Sequence, residues 1–152
     1  MLSLERSSLL KKRLRRRLIF NMKYFIAHKV SGEDHIQLEK EIKIICSAIK
    51  KSGHQYYCSF LDDKMRSNKN KNNLLENAFN KIDELDGIML IVKSEDKSEG
   101  MLIELGYALA KGKKVILLIH NNVKKTYLRE ISDSVVEFSN INELSKKLEQ
   151  LI

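Results

Sequence analysis

The sequence predicts an α/β domain, a doubly wound five-stranded parallel sheet of order 2-1-3-4-5 with helices on both faces. Two observations lead there. Short runs rich in Ile, Leu and Val alternate with segments whose apolar residues recur every three or four positions. Residues 98–113, SEGMLIELGYALAKGK, lie between two such runs, 87–92 and 115–119, which is the succession of a βαβ unit. A chain of 152 residues is long enough for one domain with a full core.

The elements follow in order. Residues 1–21 form a basic, leucine-rich leader expected to lie outside the fold, and residues 22–152 form the domain. The plainest reading makes Met22 the working start; an amphipathic surface helix or a targeting peptide are the alternatives. KYFIAH at 23–28 is the first strand. A polar turn with Ser31 and Gly32 then opens a helix carrying Leu38, Ile42, Ile45 and Ile49, with Cys46 a core residue on it, and Gly53 stops it. A second strand is expected over 55–60. The Lys- and Asn-rich stretch 62–73 reads as a loop.

Leu75, Phe79, Ile82 and Leu85 give a helix leading to the strand at 87–92. The 98–113 helix and a strand at 114–120 follow. A helical turn at 127–131, a short fifth strand at 135–138, and a final helix carrying Leu144, Leu148 and Leu151 complete the chain; Asn140 and Glu143 are spaced as a capping box. With right-handed crossovers this is a flavodoxin-like sheet.

Composition narrows the function. Hydrophobic residues at 43% and charged residues at 32% describe a globular protein, and no apolar run nears the ~20 residues that span a bilayer. The net charge of +8 owes much to Lys11, Lys12, Arg13, Arg15, Arg16 and Arg17. Without interleaved aromatics or a nucleic-acid module, polyanion binding rests on the leader alone. Cys46 and Cys58 lack metal-ligand spacing, as do His28, His35, His54 and His120, which points to reduced thiols, a cytoplasmic setting and no metal. GxGxxG and GxxxxGK[ST] are absent, so dinucleotide and P-loop readings have no support.

Two details of the 98–113 helix stand out. Glu104 is an acid among Met101, Leu102, Ile103 and Leu105, near the carboxyl ends of parallel strands, where α/β sheets bind ligands. Gly106 sits mid-helix at a cost of about 1 kcal/mol against alanine, for which close packing on the sheet offers a reason. The other candidates at strand ends are Tyr24, His28, the 29–34 loop, Asp86, and 94–100.

DGIMLIV, SEGMLIELGYALAKGKKVILLI and SDSVV together resemble the nucleoside 2-deoxyribosyltransferase family, including the related 2'-deoxynucleoside 5'-phosphate N-hydrolase. The resemblance runs from about Lys23 to Phe138 and is strongest over 86–119. It implies an enzyme that cleaves the N-glycosidic bond of 2'-deoxynucleosides or their 5'-monophosphates, passing the sugar to water or another base. It also implies no cofactor and a homodimer or larger homo-oligomer. Glu104 corresponds to the nucleophile and Tyr24 to the tyrosine contacting it. Ser98, Gly100, His28, Lys29, Ser31, Gly32, Asp86, Lys125 and Thr126 fall where substrate is bound. Ser98 stands where the transferases carry an Asp, a change that suits a 5'-phosphate; the plain alternative is a helix N-cap. The family's proton-handling Asp, eight residues before Asp86, is Ala78 here, beside Asn77 and Asn80, leaving Asp62, Asp63 and Asp83 as stand-ins. A catalytically lapsed nucleotide-binding module and a TIR-like NAD hydrolase or signalling domain are the alternatives, the latter suggested by FIAH and SGED.

Overall fold

The computed structural model describes residues 21–150, together with Arg6 and Ser8. The expectations for the leader and for Leu151 fall outside the described residues. The strands are β1 (Lys23–His28), β2 (Gln55–Tyr57), β3 (Gly87–Val92), β4 (Lys114–His120) and β5 (Ser134–Phe138). The helices are α1 (His35–Lys51), α2 (Asp63–Arg66), α3 (Lys71–Glu84), α4 (Glu99–Ala110), α5 (Leu128–Ile131) and α6 (Ile141–Glu149). All strand pairs are parallel and the order is β2-β1-β3-β4-β5, the flavodoxin-like sheet the alternation predicts.

Strand alternation divides the core into two layers. Tyr24, Ile26, Met89, Ile91, Ile116 and Leu118 pack against α1 and α6. Phe25, Ala27, Ile88, Leu90, Val115 and Leu117 pack against α3 and α4, through Ala78, Ile82, Met101, Leu105 and Ala108. Every residue of β3 is buried, as its unbroken apolar run requires in a central parallel strand. Cys46 lies in the first layer, as expected.

The amino ends of the strands are clamped by one residue. Asp86 donates its N–H to the Lys23 carbonyl at 2.8 Å, its carboxylate accepts the Lys23 N–H at 2.8 Å, and its carbonyl accepts from Lys114. Beside it, Gly87 has no room for a side chain. A Cβ there would come within 2.6 Å of the Lys114 carbonyl oxygen and 3.0 Å of the Tyr24 ring.

Four expectations are corrected. β2 ends at Tyr57, because it is an edge strand paired only with residues 23–25, and the chain then tightens into a 3-10 turn over Ser59–Leu61. The stretch read as a loop holds α2 and the start of α3. Asp62 caps α2 by accepting from Lys64 N–H, and Asn70 caps α3 by accepting from the Asn72 and Asn73 N–H groups. Gly106 does not pack on the sheet: it is exposed, and a Cβ there would meet nothing within 4 Å. β5 begins one residue early, at Ser134. The Asn140 cap forms as predicted, with Glu143 N–H donating to its side chain at 2.8 Å and the Glu143 carboxylate reaching back to Ser139 N–H.

The two glycines give opposite predictions for urea unfolding. Gly87→Ala is expected to lose roughly 1–3 kcal/mol, since the backbone carbonyl it would strike cannot swing away. Gly106→Ala is expected to gain about 0.5–1 kcal/mol, since the new methyl group is unobstructed and the helix loses a flexible residue.

Candidate active site

The sheet order reverses direction between β1 and β3, and their following helices leave to opposite faces. A crevice therefore opens at the carboxyl edge, where the loops after β1 and β3 diverge. From the β1 side come His28, Lys29, Ser31 and Gly32. Gly32 has φ +77°, so the turn closed by Glu33 N–H to the Val30 carbonyl suits glycine there. From the β3 side come Ser98 and Gly100 with Glu104. A Lys29–Asp96 ion pair joins the two loops across the crevice. Lys93 adds a second tie, to Glu33 and Glu41.

Ser98 is the N-cap of α4, its hydroxyl oxygen accepting from Met101 N–H at 3.3 Å. That use leaves the hydroxyl proton free to donate into the crevice. Gly100 lies between the cap and the acid. A Cβ on it would sit 3.7 Å from Ser98 Oγ and 4.0 Å from Glu104 Oε1, so glycine keeps the approach to both groups open.

Glu104 points from α4 on the same flank as Tyr107, whose ring stacks on Phe79 of α3 at 4.3 Å between centroids. Helical side chains lean toward the N-terminus, which carries its carboxyl group up toward the carboxyl edge. Burial pushes its pKa from the ordinary 4.5 up to about 8. Among the described residues no cation pairs with it to draw that value back. Its charge reaches Cys58, whose thiol is pushed up to about 11, mainly by burial. Cys58 Sγ in turn lies 3.6 Å from His28 Nε2. Burial lowers the His28 pKa, so its ring is neutral; it sits edge-on to Phe60, as does His35 from the start of α1.

Two expected site residues lie elsewhere. Tyr24 is the second residue of β1, opposite Gly87, with its ring against His54 in the α1 layer. It is therefore at the amino end and on the sheet face away from α4, so the expected contact with Glu104 is not made. Asp86 is the amino-end clamp, remote from Ser98 and Gly100. Both misplacements have one cause: a strand assignment does not say which of its ends a residue serves. Lys125 and Thr126 follow β4 on the carboxyl edge; Lys125 is exposed and the Thr126 hydroxyl accepts from Leu128 N–H.

Of the three acids offered as stand-ins at Ala78, Asp62 enters a network through Tyr57, which is level with Phe25 in the sheet register. Its carboxylate accepts the Tyr57 hydroxyl proton at 2.7 Å, and that hydroxyl accepts from Asn77 Nδ2 at 2.9 Å. Asp83 binds the Tyr107 hydroxyl near the far end of α3, and Asp63 is exposed in α2. Ala78 itself is 4% exposed within the apolar layer. Tyr57 was legible only as a strand residue. Among the described residues no cluster of three or more His, Cys, Asp or Glu could hold a metal ion. An open groove of about 610 Å³ between Leu109, Gly112 and Ser134 lies at the amino ends of β4 and β5, away from Glu104.

A flavodoxin-like domain with a half-buried glutamate at the switch crevice defines the class. Comparison with known proteins then fixes the lineage: the nucleoside 2-deoxyribosyltransferase family matches over residues 24–141, and the chain belongs to that family of enzymes acting on N-glycosidic bonds. The match displaces the TIR-like alternative. Among solved structures, the CMP N-glycosidase BcmB of Clostridium botulinum is similar at 21% identity and a TM-score of 0.64, covering 86% of this chain and 99% of that one. A 2-deoxyribosyltransferase of Bacillus psychrosaccharolyticus is similar at 20% identity and a TM-score of 0.54, covering 83% and 95%. A conserved protein of Enterococcus faecalis V583, at 15% identity and 0.58, shares the fold over 86% and 99%. No curated protein sequence matches the chain significantly.

The raised pKa of Glu104 fixes the sign of a pH effect. The folded state holds this proton more tightly than the unfolded chain, so the stability it contributes is full below about 4.5 and is lost as pH rises through about 8. Glu104→Gln removes the penalty. Relative to the wild type, the variant is expected to gain roughly 1–3 kcal/mol between pH 5 and pH 8.5 in urea titrations, the range allowing for partial exposure of the carboxyl group. A constant offset at both pH values would show that the carboxyl group is not held neutral.

Proposed function

We propose that the protein cleaves the N-glycosidic bond of a 2'-deoxynucleoside or its 5'-monophosphate with Glu104 as nucleophile. The observation that carries this reading is the Glu104 carboxyl group itself: half-buried, without a counter-charge among the described residues, and beside the open backbone of Gly100 at the switch crevice. A carboxylate freed from water is a stronger nucleophile, and with a pKa of about 8 roughly a tenth of it is ionised at pH 7. Its oxygen attacks C1', the C1'–N bond breaks with its electron pair going to the base, and an ester forms. Water or a second base then displaces the carboxylate, so the configuration at C1' is retained.

The loops favour a phosphorylated sugar. Ser98 offers a free hydroxyl proton, the N-terminus of the 12-residue α4 offers N–H groups, and Lys29 supplies a cation, offset in part by Asp96. His28, Ser31, Gly32 and Gly100 line the same edge. The similar Clostridium botulinum enzyme is named for CMP, a nucleoside monophosphate. Ala78 favours a second reading, a lapsed nucleotide-binding module.

A homo-oligomer fits an outer face of α4 on which Leu102, Ile103 and Leu109 are 40%, 47% and 41% exposed around Gly106. Lys125 is exposed and available to a neighbouring copy, with Thr126 beside it already holding Leu128 N–H. The free, buried thiols of Cys46 and Cys58 suit the reducing cytoplasm.

Chromatography for free base after incubation with deoxynucleosides, their 5'-monophosphates, CMP and NAD tests the reading. Base release from monophosphates is expected, and Glu104→Gln should lower it by at least about 10³-fold. Binding without release by the wild type would favour the lapsed module. Ser98→Asp preserves the helix cap, so it separates the two roles of that residue. It is expected to lower kcat/KM for the monophosphate about 10- to 100-fold relative to the unphosphorylated nucleoside, with unfolding unchanged.

A further inference from the structure

A substrate phosphate calls for a cation, and the lysines on the loops after β1 and β3 are all already paired. Lys93 is held by Glu33 and Glu41 at 3.5 and 3.1 Å, Lys97 lies 3.7 Å from Glu95, and Lys29 pairs with Asp96 at 2.5 Å. We propose that Asp96 is a resident counter-ion on Lys29, displaced when the substrate's phosphate binds and returning when the sugar phosphate leaves. This rests on the monophosphate reading given above.

The placement of the pair supports the exchange. His28, the last residue of β1, is level with Ile91 of β3, so Lys29 and the 93–98 segment leave the sheet from the same edge. Their ion pair spans the crevice between the two loops. Asp96 is two residues before Ser98, at most about 7 Å along the chain. The pair therefore holds the Lys29 ammonium against the loop that carries the Ser98 hydroxyl and the first N–H groups of α4.

The two partners differ in burial. The Lys29 side chain is 23% exposed and that of Asp96 is 78% exposed. Among the described residues the Asp96 carboxylate makes no other hydrogen bond, so it can turn into water at little cost. The Glu33 and Glu41 side chains on Lys93, at 29% and 19%, have no such exit.

The chemistry favours the exchange. A carboxylate brings one charge to one ammonium group. A phosphate monoester brings nearly two charges and three acceptor oxygens, enough to engage Lys29, the Ser98 hydroxyl and α4 N–H groups together. A neutral 5'-hydroxyl group cannot compete with a carboxylate and leaves the pair closed. No covalent bond changes; only the partner of Lys29 does.

A double-mutant cycle tests this with a deoxynucleoside 5'-monophosphate, its nucleoside and inorganic phosphate. Because an exposed ion pair is weak, Asp96→Asn is expected to lower KM for the monophosphate about 2- to 5-fold. In NMR titrations it should tighten inorganic phosphate by a similar factor, with KM for the nucleoside unchanged. Lys29→Met is expected to raise the monophosphate KM about 10-fold or more, and in that background Asp96→Asn should have no further effect. An unchanged or raised monophosphate KM in Asp96→Asn would overturn the assignment. So would a gain that persists without Lys29, which would mark Asp96 as a distant repelling charge. If the wild type releases no base, the glycosidase reading fails by itself, and the phosphate titrations of the four proteins still decide the exchange. If neither Lys29→Met nor Ser98→Asp weakens the monophosphate, the phosphate reading fails and this one with it.

Discussion

The site depends on a carboxyl group held half-buried against an apolar helix face with no cation beside it among the described residues. Glu104 lies one turn into a helix whose other inward residues, Met101, Leu105 and Ala108, are sheet-facing and apolar. Burying an acid there costs free energy, visible as a pKa near 8. The rest of the crevice leaves that cost uncompensated. The nearby cations are engaged elsewhere: Lys29 with Asp96, Lys93 with Glu33 and Glu41. A lysine placed against Glu104 would stabilise the fold and lower the pKa, and it would also blunt the nucleophile we propose. Local instability and reactivity have the same origin here.

The opposite edge of the sheet bears the structural load. Asp86 and Gly87 lock β1, β3 and β4 at their amino ends by direct backbone pairing and by close approach. The loops at the carboxyl edge can then diverge without loosening the sheet. The division explains why two polar-looking residues near strand ends, Tyr24 and Asp86, turn out to be architectural, while the less conspicuous Gly100 lies beside Ser98 and Glu104.

Much of this was legible in the sequence. Five apolar runs and their spacing give the strand order, because parallel strands buried on both faces must be short and unbroken, as at 87–92. Glu104 was conspicuous as an acid among apolar neighbours, and Ser98 was readable both as a cap and as a donor. The missing parts have physical reasons. Asp62 and Asn70 cap helices in a stretch whose polarity masks helical periodicity. Gly106 looked like a packing glycine, but its direction on the helix is set by the tertiary fold. The Asp62–Tyr57–Asn77 network joins residues up to 20 positions apart, a distance at which sequence pattern carries no information about contact.

The central claim is that Glu104 becomes covalently bonded to the sugar. Rapid acid quenching during turnover of a deoxynucleoside 5'-monophosphate, followed by peptide mass spectrometry, tests it most directly. A deoxyribosyl phosphate ester is expected on the peptide containing Glu104, and none in Glu104→Gln. Base release at full rate with the adduct on another residue would contradict it.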